Sequence, residues 1–111
     1  MPDRIDKTDL ATRDIEELAA YFLAEAGTAV ALRFVDHAEH AFHQLSLMPK
    51  MGALLGFENP AIADVRRWHI QGFPRLLILY RPLPDGIQVI RVMDAARDIT
   101  ALFDGPGFPS A

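Results

Sequence analysis

The stretch from Val65 to Asp98, VRRWHIQGFPRLLILYRPLPDGIQVIRVMDAARD, constrains the fold more than any other part of the chain. Two apolar runs, Leu76–Tyr80 and Ile87–Met93, flank the turn formers Pro82, Pro84, Asp85 and Gly86, so they should pair as an antiparallel hairpin. The run Val65–Gln71 can add a third strand through the turn Gly72-Phe73-Pro74. The middle run is apolar at every position, as in strands covered on both faces. The last run is rich in Val and Ile with Arg91 in its midst. Whatever lies upstream must cover one face of this sheet, and the other face asks for a cover of its own.

Upstream, Arg4–Lys7 alternates and reads as an edge strand with Ile5 inward. Thr8 has the hydroxyl of an N-cap, and Asp9 sits in the first turn, where a carboxylate suits the helix dipole. Ala11, Ile15, Leu18, Phe22 and Ala26 then repeat with helical period up to Gly27, a plausible stop. Asp14, Glu16, Glu17 and Glu25 read as a solvated helix face. A second helix, capped by Thr28, should run to about Leu47, with Val30, Phe34, Ala38, Ala41, Phe42 and Leu45 as its apolar stripe. The short connection makes the pair an antiparallel hairpin. Met48–Asp64, with its prolines and glycines, reads as a loop. Ile99–Phe103 reads as a short helical piece, and residues 105–111 as a flexible tail after a single domain over 1–104. The expected fold is α+β: an N-terminal strand and a helix hairpin packed on one face of a small antiparallel sheet, in the order β-α-α-β-β-β, with a short C-terminal helix.

Composition narrows the function. Half of the residues are hydrophobic, enough for a core without staples, and there is no cysteine, which removes thiol chemistry and cysteine zinc sites. The charged N-terminal stretch offers no secretory signal, and no apolar run has the length of a membrane span. These features suit a cytoplasmic protein. A net charge of −4 argues against a chain whose main affinity is for nucleic acid backbone. His37, His40 and His43, spaced i, i+3 and i+6, read as a solvated face rather than a metal site. Neither a Ser-His-Asp arrangement nor a phosphate loop is present, and no metal or cofactor is expected. If Ile90 and Val92 face the helices, Ile87, Val89, Arg91 and Met93 face outward. Either choice leaves an apolar sheet face, the mark of a protein interface.

An ordered set of residues carries a resemblance. It comprises Asp14-Ile15, Leu18 and Tyr21-Phe22; Arg33-Phe34, Phe42, Leu45, Pro49 and Gly52; and then Val65-Arg66-Arg67-Trp68, Gly72-Phe73, Tyr80-Arg81, Gly86-Ile87, Arg91-Val92 and Ala96-Arg97-Asp98. In this the chain resembles the ParE branch of the RelE/ParE toxins of bacterial type II toxin–antitoxin systems. The resemblance implies a toxin that inhibits DNA gyrase and is neutralised by a ParD-like antitoxin wrapped over its apolar surface. DNA contact would come only through the antitoxin complex. RelE-type relatives instead cut messenger RNA on the ribosome, and a toxin homologue that survives only as an antitoxin-binding module is a third possibility. The chain departs from the pattern at Asp94-Ala95, where the family often has His-Gly, and offers no Tyr or His after Asp98. Gyrase inhibition is therefore preferred.

On this reading Arg67, Arg75, Arg81, Arg91 and Arg97 form the toxic or target surface, against the alternative of solvated charges and local ion pairs. Arg91 stands out, because an unpaired charge inside an apolar strand is costly; its replacement by Ala is expected to reduce toxicity and retain the fold. Trp68, Ile87, Val89 and Met93 are the expected antitoxin contacts, although Trp68 taken alone suits the helix–sheet core better. Tyr80 is either a core residue with its hydroxyl at the rim or part of a nucleolytic site.

Overall fold

The computed structural model describes residues 3–97. Strand β1 (Arg4–Lys7) leads into helices α1 (Asp9–Ala26) and α2 (Thr28–Leu47), followed by strands β2 (Ala53–Leu54), β3 (Arg66–Ile70), β4 (Phe73–Leu83) and β5 (Gly86–Asp94). The five strands form one sheet in the order β1-β5-β4-β3-β2. The helix hairpin lies on one face, as the α+β reading requires. The sheet is mixed, because β1 runs parallel to β5 while the other neighbours are antiparallel. That pairing joins residues more than 80 positions apart, and local pattern carries no trace of it. The helical piece expected at Ile99–Phe103 and the tail at 105–111 lie outside the described residues.

The helix boundaries follow from local chemistry. The Thr8 hydroxyl accepts from Ala11 N–H at 3.0 Å and starts α1. Gly27, at φ +94°, ends α1 and at the same time precedes α2, with its N–H bonded back to Phe22 O and Leu23 O. Thr28 is therefore the first residue inside α2 and not its cap, and α2 starts without a side-chain cap. A side chain at position 27 would have to adopt the left-handed conformation that glycine takes at little cost.

The main core lies between the helices and the sheet. Phe34, Ala38, Ala41, Phe42 and Leu45 from α2 and Ala11 from α1 meet Ile78, Tyr80, Ile87, Val89 and Val92. Phe22, Phe34 and Phe73 form an aromatic triple with centroids 5.2–5.7 Å apart, Phe34 and Phe73 meeting edge to face. Full burial of side chains of this size is worth about 1.5–3 kcal/mol each.

The second face carries its own cover. Ile62, from the segment read as a plain loop, and Val65, just after it, pack on Leu79, Ile90 and Met93, with Leu55 and Phe57 at the margin. The segment also contributes β2, which pairs with β3. The expectation of an open apolar sheet face is thereby corrected, because the chain folds over much of it.

A register shift explains why strand parity misled. Leu79 pairs with Arg91 and Tyr80 with Val89, so Ile90 is an extra residue in β5. A bulge of this kind reverses which residues face which side beyond it. Ile87, Val89 and Val92 pack under the helices, whereas Ile90 and Met93 belong to the opposite face. Neither of the two parities open to a regular strand is the one observed.

Candidate interaction surfaces

The bulge in β5 is held by side chains of α1. β1 ends at Lys7, and beyond Val89 the outer edge of β5 has lost its strand neighbour. Thr8 Oγ1 donates to Ile90 O at 2.8 Å. The Asp14 carboxylate accepts from Val92 N–H at 3.0 Å. The same carboxylate takes both arms of Arg91, Nε at 2.7 Å and Nη2 at 2.9 Å. The two side chains are only 12 % and 11 % exposed. The hydrogen bond to Asp14 raises the Arg91 pKa above its ordinary value, with burial pulling the other way and the nearby Asp14 and Glu17 charges adding to the rise. Arg91 is thus a buried structural cation. Asp14 is its partner, not part of a solvated face, and a partner 77 positions away gives no signal in the sequence.

The other four arginines do not meet at one point. Arg67 is exposed and lies opposite Leu79, on the face away from the helices. Arg81 is a latch: its Nη2 donates to Ala61 O at 2.6 Å and pairs with Asp64 at 2.9 Å, holding the covering segment to β4. Arg75 is 76 % exposed and lies 3.6 Å from Asp94. Arg97 is exposed, and its N–H donates to Asp94 O at 3.1 Å, so Arg75 and Arg97 both border the end of β5. Of the five, Arg67, Arg75 and Arg97 are open to solvent. Arg66, which sequence reasoning passed over, is a second latch, with Nη1 bonded to Gly52 O at 2.7 Å and Lys50 O at 3.2 Å.

Charge divides between the layers. Residues 8–47 carry seven acidic and two basic side chains, whereas residues 3–7 and 48–97 together carry six acidic and nine basic ones. The helical layer is therefore acidic and the sheet layer basic, which the overall charge of −4 conceals.

Three of the four residues expected to contact an antitoxin are inaccessible. Ile87 and Val89 are fully buried under the helices, and Met93 is 2 % exposed beneath the covering segment. Trp68 is half-buried, packed against the main core and lining a groove beside α2. The exposed large apolar side chains lie elsewhere. Tyr21, Leu23 and Leu32 are on the helices, and Leu47, Met48 and Leu54 flank the exit from α2, beside Met51, Pro82 and Leu83.

Tyr80 is fully buried, and its hydroxyl is fully engaged. It donates to Pro49 O at 2.7 Å and accepts from Gly52 N–H at 2.8 Å. Burial pushes the phenol pKa up, with the Gly52 bond and the Arg66 charge pulling the other way. Gly52 is required here, because a Cβ on it would lie 2.6 Å from both Arg67 O and Tyr80 Oη. Of the α2 imidazoles, His37 serves packing, whereas His40 and His43 are exposed. His37 Nδ1 meets Gln71 O at 2.6 Å, and its ring sits edge-on to Phe73. Among the described residues no group of three or more His, Cys, Asp or Glu side chains is placed to hold a metal ion. No described helix is long and apolar enough to cross a membrane.

A helix hairpin on a mixed sheet, an acidic layer backed by a basic one, and exposed apolar side chains at the exit from α2 define a small α+β domain. The family described as "ParE toxin of type II toxin-antitoxin system, parDE" matches residues 5–99. The chain belongs to that family. Among solved structures it is similar to a chain of the chromosomal ParDE toxin–antitoxin system from P. aeruginosa, at a TM-score of 0.67 and 19 % identity, covering 84 % of this chain and 96 % of that one. At that identity the likeness speaks to the fold. No curated protein matches the sequence.

Proposed function

We propose that the protein acts in the cytoplasm as a toxin that inhibits DNA gyrase by binding, and that a ParD-like antitoxin silences it. Membership of the ParE family over residues 5–99 carries this reading. The open cations Arg67, Arg75 and Arg97 are the residues proposed to meet the target, because they alone of the five candidates keep a solvent-facing guanidinium. Arg81 supports them indirectly by fixing the segment over Leu79 and Ile90. The antitoxin is proposed to cover Trp68 and the exposed apolar side chains Leu47, Met48 and Leu54. Exposed apolar side chains grouped on a small domain mark a protein interface, and tryptophan is enriched among the residues that dominate binding energy.

The state of Tyr80 favours gyrase over messenger RNA as the target. An RNA-cleaving site needs a placed proton donor or acceptor that substrate can reach. The Tyr80 hydroxyl spends both its proton and a lone pair on the backbone of the covering segment and is buried. Induction of the protein in a bacterium tests the choice. Gyrase inhibition should relax plasmid DNA and raise the DNA-damage response while messages stay full length. Early message cleavage with unchanged supercoiling would reverse the assignment.

A further inference from the structure

The outer edge of β3 is closed except at one residue. In an antiparallel ladder alternate residues turn both backbone groups to the same neighbour. On the edge away from β4 these are Val65, Arg67, His69 and Gln71. Val65 O accepts from Leu55 N–H at 3.2 Å, and Arg67 pairs with Ala53 of β2. Gln71 O accepts from His37 Nδ1 at 2.6 Å. Between them, the alternation turns His69 N–H and C=O to the same outer edge, and β2, whose pairing ends at Arg67, stops short of them. β2 closes one side of the gap and His37 the other, so the opening fits one residue of an extended chain with its flanks.

The gap opens on a groove of about 670 Å³ between α2 and β3. Its polar lining surrounds an aromatic ring: the Asp36 carboxylate, the Gln44 amide, the imidazoles of His37, His40 and His69, and Trp68. No lysine or arginine lines it. His37 and His69 each direct Nδ1 at a carbonyl oxygen, of Gln71 and of Pro74 at 2.9 Å. A carbonyl only accepts, so Nδ1 carries the proton, and Nε2 of each neutral ring is left as an acceptor.

We propose that this groove is a docking site for an extended segment of a partner protein that pairs its backbone with His69 and sets a lysine or arginine side chain among Asp36, the imidazoles of His37 and His69, and Trp68. The outward ladder groups supply the backbone recognition of strand addition. The carboxylate, the ring acceptors and the indole face supply the charge preference. The surface is distinct from the cations proposed to meet gyrase and shares Trp68 with the proposed antitoxin contacts, but the inference stands on the ladder and the groove alone.

Trp68 is the only tryptophan and reports on the groove directly. The full chain, labelled with nitrogen-15, is titrated with acetyl-Val-Lys-Val-amide and separately with acetyl-Val-Glu-Val-amide. The lysine peptide is expected to shift the His69 amide resonance and Trp68 emission saturably, with the glutamate peptide at least about tenfold weaker, the effect of one lost charged contact. His69→Pro removes the outward N–H, a change an edge position tolerates, and should abolish the response; His69→Ala keeps the N–H and should retain most of it. If His69→Pro does not fold, a lysine peptide methylated on its own backbone nitrogens tests the same pairing and should fail to bind. An unshifted His69 amide at millimolar peptide, or equal responses to the two peptides, would overturn the proposal. So would a His69 shift on concentrating the protein alone, which would make the occupant a second copy of this chain.

Discussion

Arg91→Ala should weaken the fold, and the size of the effect can be worked from its surroundings. The substitution removes two charge-assisted hydrogen bonds of 2.7 and 2.9 Å and leaves Asp14, 11 % exposed, with only the Val92 N–H. Breaking a buried ion pair by deleting one partner costs about 3–5 kcal/mol. The residual exposure and the remaining N–H bring this to about 2–4 kcal/mol, a large share of the roughly 5–15 kcal/mol that holds a domain together. With a urea slope of about 1–1.5 kcal/mol per molar, the midpoint should fall by about 2 M. Asp14→Ala should cost at least as much, because it strands both the guanidinium and the Val92 N–H. The double variant Asp14→Ala with Arg91→Ala should lose much less than the two single losses added, a coupling of about 2 kcal/mol or more. Equilibrium urea unfolding followed by circular dichroism measures all four proteins. An Arg91→Ala midpoint within about 0.3 M of the parent, below the error of such extrapolations, would refute the clamp. Strict additivity of the two sites would refute it as well. On this account reduced toxicity of Arg91→Ala would reflect lost structure, in place of the fold-neutral loss that the sequence alone suggested.

Three further outcomes follow from the same geometry. Tyr80→Phe should destabilise by about 1–3 kcal/mol, since Gly52 N–H and Pro49 O lose their partner. Because the folded phenol pKa is raised, its contribution is complete below the ordinary tyrosine value and is lost as pH rises through the folded one. Alkaline unfolding should therefore coincide with the late phenolate absorbance that Tyr80→Phe lacks. Thr8→Ala removes both the α1 cap and the bond to Ile90 O and should cost about 1–2 kcal/mol by thermal unfolding, whereas Thr8→Ser should restore most of it. Arg67→Ala and Arg75→Ala should leave stability within about 0.5 kcal/mol, because exposed charges contribute little. Both should reduce growth inhibition in cells; full toxicity in both would move the target surface elsewhere.

What was legible in the chain was local. Thr8, Asp9 and Gly27 mark the ends of α1 by cap and backbone chemistry, and the Pro-Asp-Gly turn sets the β4–β5 hairpin. The apolar stripe of α2 is its buried face, with Phe34, Ala38, Ala41, Phe42 and Leu45 all in the core. What was hidden depends on contacts across the fold. The parallel pairing of β1 with β5 and the bond from Asp14 to Arg91 join distant positions. The bulge at Ile90 is invisible because Val, Ile and Met at successive positions satisfy either parity. It misplaced Ile87 and Val89, which are core residues. The segment after α2 looked like loop because its prolines and glycines mask three apolar anchors, Leu55, Phe57 and Ile62. Its cover over the sheet is what buries Met93. The arginines were legible as chemistry and not as roles. Two of them, Arg81 and Arg91, are bound to groups that no spacing rule connects to them.

Purified protein in a gyrase supercoiling assay, with and without its antitoxin, tests the central claim most directly. The account predicts inhibition by the folded protein, relief on adding the antitoxin, and loss of inhibition in Arg67→Ala and Arg75→Ala proteins of unchanged stability. Undiminished supercoiling at a large molar excess of folded protein would contradict it.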